Sequence, residues 1–466
     1  MSARRPLAAI VLAAGASKRF KSSTPKVLHD LAGQPLLAYP LATVRALKPA
    51  QVVVVLGSAA QAVREAATGL WPRGASPRLR FADQKRLLGT ADSARAGLTA
   101  LKGFNGNVIV LPADAPLLEP ATLRALVGTH ERTRAAVTVL SARVEDPSGY
   151  GRVVRAPSGS VEAIVEQRDA SAAQRRIDEI NAGVYVFDAA FLRAALPKIG
   201  RANAQGEHYL PDVVAVARAS GRTVEAVPAT APEEAFGVND RAQLADLAAI
   251  LRARAARRLM AKGVTIVDPS STFVDATVRA GADTVIHPNT ILTGDTRIGR
   301  GASIGPNVRA AGSTIGDRAR VQFAVLDGAK VGREAQVGPF AYLRPGATLK
   351  ARSKAGTFVE VKASTIGEDS KVPHLSYVGD ASIGRDVNVG AATVTVNYDG
   401  ETKKKSKTVI GDGAKIGSDT MLVAPVKVGK NAGTGAGSVV TRDVAPGDFV
   451  VGAPARTLRR RKGETT

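Results

Sequence analysis

The chain has 466 residues, with 45 % hydrophobic and 23 % charged positions, close to globular averages, which excludes wholesale disorder. Its 64 Lys and Arg against 41 Asp and Glu give a formal charge of +23, which suits phosphorylated small molecules, nucleic acid or membrane surface, or a basic solvated surface alone. With no cysteine, disulfides, Cys-ligated zinc and thiol nucleophiles are excluded, and no apolar run reaches the roughly 18 residues of a membrane span.

Arg4 and Arg5 precede an apolar run from Leu7 to Ala14 that mimics a short signal peptide. The run reads better as a buried strand entering a phosphate loop, and a cytoplasmic location is expected. The first half then alternates apolar runs with helical patterns. Strands are expected at Ala8–Leu12, Val52–Leu56, Val108–Leu111, Ala136–Leu140 and Val184–Phe187. Helices are expected at Leu36–Ala46, Ala91–Leu101, Ala121–His130 and Tyr209–Arg218. This alternation predicts an α/β sheet covered by helices. A longer helix follows from Arg241 to about Ala261, with Leu244, Leu247, Ile250 and Leu251 at helical spacing. Its arginines at 252, 254, 257 and 258 read as a solvated face or a partner surface.

After Gly263 apolar residues recur every six positions. The runs are Ile286, Leu292, Ile298, Ile304; then Val325, Val331, Val337, Leu343, Leu349; then Ile366, Val372, Val378; and finally Ile410, Ile416, Leu422, Val428, Thr434, Val440. Neither a period of 2.0 nor one of 3.6 accounts for this. Hexapeptide repeats are a β-solenoid signature, each hexad supplying one short strand and a turn. The repeat breaks over residues 397–407, where a loop must leave the solenoid. The basic tail at 459–462 is expected to be mobile.

Two motifs in the first half carry chemistry. Leu12-Ala13-Ala14-Gly15-Ala16-Ser17-Lys18-Arg19-Phe20 ends a strand in a small-residue loop, and Pro25-Lys26 follows. Small residues let backbone N–H groups approach phosphate oxygens, and Arg19 and Lys26 can neutralise them. By spacing alone the loop could equally be an ordinary strand–turn–helix; it is neither a Walker loop nor a dinucleotide fingerprint. Asp114 follows the strand Val108–Leu111, where a carboxylate suits a Mg²⁺ bridging a triphosphate, or a helix cap.

These motifs, with Gly89-Thr90, Asp146–Arg152, Ile164-Val165-Glu166, Glu179–Gly183, Asn203–Glu207 and Gly237-Val238-Asn239, resemble the sugar-nucleotide pyrophosphorylases. Leu343–Ala347, Phe358–Lys362, His374–Asp380 and Asn397–Gly400 resemble left-handed parallel β-helix acyltransferases. Joined in this order, nearly end to end, the chain is similar to the bacterial bifunctional N-acetylglucosamine-1-phosphate uridylyltransferases/glucosamine-1-phosphate acetyltransferases. The resemblance implies a Rossmann-like mixed-sheet nucleotidyltransferase over residues 1–240, a helical linker over 241–262, and a left-handed β-helix acetyltransferase over 263–466.

For the uridylyl site it implies that Leu12, Ala13, Ala14 and Gly15 line the nucleotide, with Arg19 and Lys26 on its phosphates. Gln84, Gly89 and Thr90 would read uracil. Asp114 and Asn239 would hold Mg²⁺, and Gly151, Glu166 and Asn181 the N-acetylglucosamine moiety. The reaction implied is attack of the sugar 1-phosphate on the α-phosphate of UTP, releasing pyrophosphate. Ser17 and Lys18 depart from the family's usual Gly-x-Gly-Thr-Arg-Met loop, and Ala113 replaces the usual Gly before the metal-binding Asp. If glycine serves there for positive φ or close approach, either change would hurt.

For acetyl transfer from acetyl-CoA to glucosamine 1-phosphate, the resemblance makes His374 the base, with Glu360 orienting or charging it. By composition alone His374 could equally be a structural histidine. Arg344 and Lys362 would bind the sugar phosphate, Tyr377 and Asn388 the sugar, and Ala391, Asn397, Tyr398, Ser418 and Ala436 acetyl-CoA. The cationic stretch Lys403–Lys407 could meet CoA phosphates or simply be solvated, and Arg456 is only a candidate for the family's CoA-contacting arginine. The family's solenoid is trimeric, with its acetyl-transfer site shared between subunits. Three other readings remain: a pyrophosphorylase of other specificity with a scaffolding solenoid, a non-catalytic regulator, and a nucleic-acid binder. His374 with Asn397-Tyr398 opposes the first, retained Lys26, Asp114 and Asn239 oppose the second, and no aromatic stacking platform supports the third.

Overall fold

A computed structural model describes residues 5–15, 18–86 and 88–460, and only the backbone of Lys18, Arg459 and Arg460. Ser17 therefore lies outside the described residues. Internal contacts divide the chain into two compact units that meet in sequence at residues 248 and 249.

The first unit is built on a twisted sheet. In spatial order its main strands are Val224–Pro228, Val137–Arg143, Glu179–Asp188, Asn107–Pro112, Leu7–Ala13, Gln51–Leu56 and Leu79–Asp83. All pair in parallel except Glu179–Asp188, which is antiparallel to both neighbours. Leu7–Ala13 and Asn107–Pro112 are near-continuous apolar runs because helices cover both faces of the sheet. Thr90–Ala100 packs on one face beside Ile10 and Val55, and Pro120–Thr133 lies on the other with Ile109 and Leu111. Gly97 is forced to be small there, since a Cβ would sit 2.5 Å from Ile10 Cγ2. The expected strands and helices are present with ends shifted by a few residues; Tyr209–Arg218 becomes a short turn at Leu210–Asp212 followed by the helix Val213–Ala219. Elements not expected include the helices Ala60–Leu70 and Ala189–Ala195, the edge strand Leu79–Asp83, the strand Val224–Pro228, and the hairpin Arg152–Arg155/Val161–Val165.

The helix Arg241–Met260 matches its predicted span. Its arginines are not all solvated. Arg258 donates to the carbonyls of Ala276 and Val278 at 2.8 and 3.1 Å, and Arg252 lies 5.2 Å from the Phe273 ring centroid. Both thus clamp the helix to the first coil of the second unit.

That unit is a left-handed parallel β-helix. Short strands stack coil on coil: Ile286 pairs with Ile304, and Ile304 with Val321. The hexad residues fill one continuous core; Leu292, Ile304, Leu343, Ile366, Val372 and Leu422 are fully buried. Val325 is a correction. It is half-exposed and pairs outward between Arg309 and Tyr342, while Leu326 points inward. The following Asp327-Gly328 turn, with φ +57° at Gly328, closes in one residue fewer, so the inward position slips by one. The repeat-breaking segment projects between strands Val394–Val396 and Thr408–Ile410, folded on itself by a bridge between Tyr398 and Lys405. The tail expectation is corrected for Arg459 and Arg460: the strand Arg456–Arg460 pairs antiparallel with Asp448–Val451 and covers the open edge of the last coil. Residues 461 and 462 lie outside the described residues.

Candidate active sites

The first site forms where Leu7–Ala13 and Asn107–Pro112 end side by side, with Leu12 opposite Pro112. This is the carboxyl edge of the sheet, where open α/β folds bind ligands. The small-residue loop leaves this edge under tight constraint, since a Cβ on Gly57 would lie 2.3 Å from the Ala14 carbonyl oxygen. A Cβ on Gly15 would meet nothing within 4 Å, so the space above that residue is open to a ligand. Leu12, Ala13, Ala14, Gly15, Lys26, Gln84, Gly89, Thr90 and Asp114 line one cavity of about 290 Å³. Val27, Ser93, Pro112 and Glu207 complete it.

Lys26 and Asp114 form an ion pair in this cavity, both largely shielded from solvent. Arg19 donates to Oδ1 of Asn239 at 2.9 Å. Asn239 is drawn toward the strand end because Val238 N–H bonds the Asp114 carbonyl at 2.9 Å. Ala113, in place of the expected glycine, is accommodated. It does not adopt positive φ, it is buried, and its N–H bonds the Leu12 carbonyl at 2.9 Å.

Gln84 is buried and locked. Its Nε2 donates to the Gly89 carbonyl and to Asp92 Oδ2, both at 3.2 Å, and its Oε1 accepts from the Ser93 hydroxyl. Both amide hydrogens are thus used, and one lone pair of Oε1 is left for a ligand. Gly89 has φ +118° and ψ 179°, a region open essentially to glycine alone. Thr90 spends a hydroxyl lone pair on the Leu210 N–H at 2.9 Å.

Gly151, Glu166 and Asn181 form a separate group. Asn181 N–H bonds the Gly151 carbonyl at 2.8 Å, and a Cβ on Gly151 would lie 3.1 Å from Glu166 Oε1. The Asn181 side chain is fixed by Tyr185 Oη at 2.7 Å and the Gly183 N–H at 3.0 Å. Burial pushes the Glu166 carboxyl above its usual range, helped by Asp169 and Asp212 and opposed by Arg152. Burial also raises Tyr185 and Tyr150. Sequence reasoning missed Ser93 and Glu207 as cavity residues. Ser93 sits one helical turn after Thr90, a spacing that could have revealed it.

In the second unit, register decides what meets. Leu343 pairs with Val361, which sets Arg344 beside Lys362. Arg344 Nη1 bonds Glu360 Oε1 at 2.9 Å, and that bond raises the arginine above its ordinary value. Glu360 is thus bonded to Arg344, with no bond to His374 among the described residues, and its register partner is Tyr377. Lys362 pairs with Asp380 at 3.6 Å, and Asp380 also accepts from Asn397 Nδ2. His374 is exposed, sits opposite Thr357, and makes no side-chain bond to another described residue. Tyr377 lies against Gly379, where a Cβ would be 2.4 Å from its hydroxyl. Asn388 is brought beside Lys371 rather than Tyr377.

Ala391, Ser418 and Ala436 stack in three successive coils. The Asp419 N–H bonds the Ala391 carbonyl at 2.6 Å and the Gly437 N–H bonds the Ser418 carbonyl at 2.9 Å. Gly390 and Gly417 permit this, since Cβ atoms there would lie 2.4 and 2.6 Å from the backbone of the next coil. Tyr398 and the lysines at 403–405 are exposed on the projecting loop, and Arg456 is exposed on the terminal hairpin.

Comparison with known proteins bears on both sites. A family profile for MobA-like NTP transferase domains matches residues 9–266, and one for bacterial transferase hexapeptides (six repeats) matches residues 407–442. The chain is 50 % identical over 463 residues to the bifunctional protein GlmU of Thermobifida fusca, covering 98 % of this chain and 94 % of that one. It is 49 % identical to GlmU of Streptomyces avermitilis, over 97 % of this chain and 92 % of that one. It is 46 % identical to GlmU of Trichlorobacter lovleyi, over 95 % of each. This chain belongs to the GlmU family. It is thus a bifunctional enzyme, a glucosamine-1-phosphate N-acetyltransferase and an N-acetylglucosamine-1-phosphate uridylyltransferase, with acetyl-CoA and UTP as co-substrates. Among the described residues no helix is long and apolar enough to cross a membrane.

Proposed function

We propose that the GlmU activities divide between residues 1–240 and 263–466, joined by the helical stretch 241–262. The cavity at the carboxyl edge of the sheet is assigned to UTP. Its carrying observation is the convergence of nine motif residues, from Leu12 to Asp114, on one cavity with an ion pair at its floor.

Gln84 Oε1 has one lone pair free, and uracil N3–H is the donor that fits it; cytosine presents an acceptor at that position. Gly89 supplies close backbone approach, and Thr90 stands beside it. Leu12, Ala13, Ala14 and Gly15 leave room for the nucleotide, while Arg19 and Lys26 neutralise phosphate charge. Gly151, Glu166 and Asn181 hold the N-acetylglucosamine moiety. Transfer between phosphates needs positioning and charge neutralisation more than a covalent nucleophile.

One carboxylate and one amide oxygen, from Asp114 and Asn239, form a hard-oxygen pair. This fits Mg²⁺, which keeps waters and takes substrate phosphates as its other ligands. Bound there, the ion would supply further charge neutralisation. These two oxygens already hold Lys26 and Arg19, so both cations stand next to the phosphate path.

In the second unit His374 removes the ammonium proton of glucosamine 1-phosphate. Arg344 and Lys362 take the phosphate, and Tyr377 and Asn388 the sugar. The ladder Ala391, Ser418 and Ala436 is flat enough for a pantetheine arm, with Asn397 and Tyr398 beside it. The separation of Asn388 from Tyr377 in one chain, and the exposed His374, support a site completed by another subunit of a homotrimer. Exposed Phe340, Phe358 and Leu375, stacked along the corner next to His374, give such an assembly an apolar surface to bury. Acetyl-CoA and UTP are intracellular metabolites, which supports a cytoplasmic location; neither membrane nor nucleic acid is assigned as a partner.

The test is pyrophosphate release from UTP, N-acetylglucosamine 1-phosphate and Mg²⁺. Release that disappears in Asp114→Ala supports the assignment. Release that persists in Asp114→Ala removes it.

A further inference from the structure

A second cleft lies in the first unit at the opposite end of the same strands. Its volume is about 760 Å³, within the range of small-molecule sites. It opens at Asn107, the first residue of the strand whose last residue, Pro112, borders the UTP cavity. At about 3.3 Å per residue the two sites are separated by on the order of 15–20 Å.

Four arginines line the cleft: Arg5, Arg132, Arg134 and Arg222, against Glu131 and Asp188. Arg5 is paired with Asp188 at 2.7 Å. Burial would raise Asp188, but the Phe191 N–H and Arg5 hold it below the usual range, so it stays charged. Arg132 is tied to the Thr129 hydroxyl at 3.2 Å. Among the described residues Arg134 and Arg222 have no side-chain partner at all. Both are exposed, and Arg134 ends the helix Pro120–Thr133 in the left-handed conformation, with φ +51°.

The wall holds a built polar group. His130 is 2 % exposed and lines the cleft. Its Nδ1 meets Thr138 Oγ1 at 2.9 Å, and Nε2 has no partner among the described residues. Burial lowers its pKa to about 4, so it serves as a neutral hydrogen-bonding group and not as a cation. Phe191, Ala190 and Ala194 supply an apolar wall. Unpaired guanidiniums favour phosphate oxygens, which they can bind in bidentate fashion.

We propose that this cleft is a second ligand site, which binds a small organic phosphate of nucleotide size through Arg134 and Arg222. The flat apolar part of that ligand rests on Phe191, and His130 Nε2 hydrogen-bonds it.

The absence of native cysteine allows a local reporter. Ala194→Cys, on the exposed lip, would carry a single environment-sensitive fluorophore. ADP is the probe, with adenosine as the phosphate-free control. The double variant Arg134→Asn/Arg222→Gln tests the cations; asparagine tolerates the left-handed backbone at 134. Its uridylyl transfer, unchanged, certifies the fold. The expected result is a saturable response to ADP that weakens at least tenfold in the double variant and at least tenfold with adenosine. No saturable response to ADP, an equal response to adenosine, or an equal response in the double variant would overturn the proposal.

Discussion

Gly89→Ala is the substitution that most sharply separates the two halves of the enzyme. At φ +118° and ψ 179° an alanine is strained whatever space surrounds it. That term alone is about 1–3 kcal/mol. The new Cβ would also lie 2.4 Å from the His208 carbonyl oxygen, closer than real Cβ contacts come. That carbonyl cannot move freely, because it accepts from the Ala91 N–H at 3.0 Å while the His208 N–H bonds the Leu88 carbonyl at 2.7 Å. The segment from Gln84 to Thr90 must therefore shift, and Gln84, whose Nε2 is bonded to the Gly89 carbonyl, shifts with it. Loss of the single hydrogen bond from uracil, with part of the strain, amounts to about 1.4 kcal/mol or more, which is a tenfold effect. Steady-state pyrophosphate release at varied UTP should show KM for UTP raised at least tenfold. Acetyl transfer, measured on the same preparation, should be unchanged. A UTP KM within twofold of wild type, or an equal fall in both activities, would show that Gly89 does not shape a uracil site.

Glu166→Gln has a pH signature. Burial raises the folded pKa of Glu166 above its unfolded value near 4.3, so ionisation disfavours the folded state. That cost is absent below the unfolded pKa and fully present above the folded one. The variant should therefore melt higher than wild type at pH 7, with the gap closing below about pH 4, and should raise KM for N-acetylglucosamine 1-phosphate; melting curves across pH check the first point and kinetics the second. Leu326→Ala, at a fully buried inward position, should cost about 2–5 kcal/mol in the β-helix, whereas Val325→Ala, half-exposed, should cost under about 1 kcal/mol, as read by denaturant unfolding. Asn397→Ala removes a bond to Asp380 and should raise KM for acetyl-CoA several-fold while leaving uridylyl transfer intact.

The coils were legible because a six-residue period of aliphatics has one physical meaning, a narrow prism with one inward residue per short strand. It failed at Val325, where a tighter turn at Asp327-Gly328 moves the inward position to Leu326. The strand Leu79–Asp83 escaped notice because it lies at the sheet edge, mostly half-exposed, and lacks an apolar run. The residues of the cavity at the strand ends were named through the family resemblance, because the small-residue loop and Asp114 by themselves fit an ordinary turn and a helix cap equally well. The bond from Arg344 to Glu360 was not legible, because it depends on register between coils. The inserted loop breaks the 18-residue coil spacing between Ala391 and Ser418, whereas Ser418 and Ala436 keep it, so only part of that ladder was legible from spacing. At Ala113, where the family usually has glycine, the backbone does not adopt positive φ, so the added methyl leaves the strand end intact.

A chain that carries two independent sites should lose them one at a time. Asp114→Asn and His374→Ala should each be assayed for both reactions. Asp114→Asn should abolish pyrophosphate release and retain acetyl transfer; His374→Ala, at an exposed position without side-chain bonds, should do the reverse with stability within about 0.5 kcal/mol of wild type. Loss of both activities in either variant, or of neither, would rule out two independent sites at these residues.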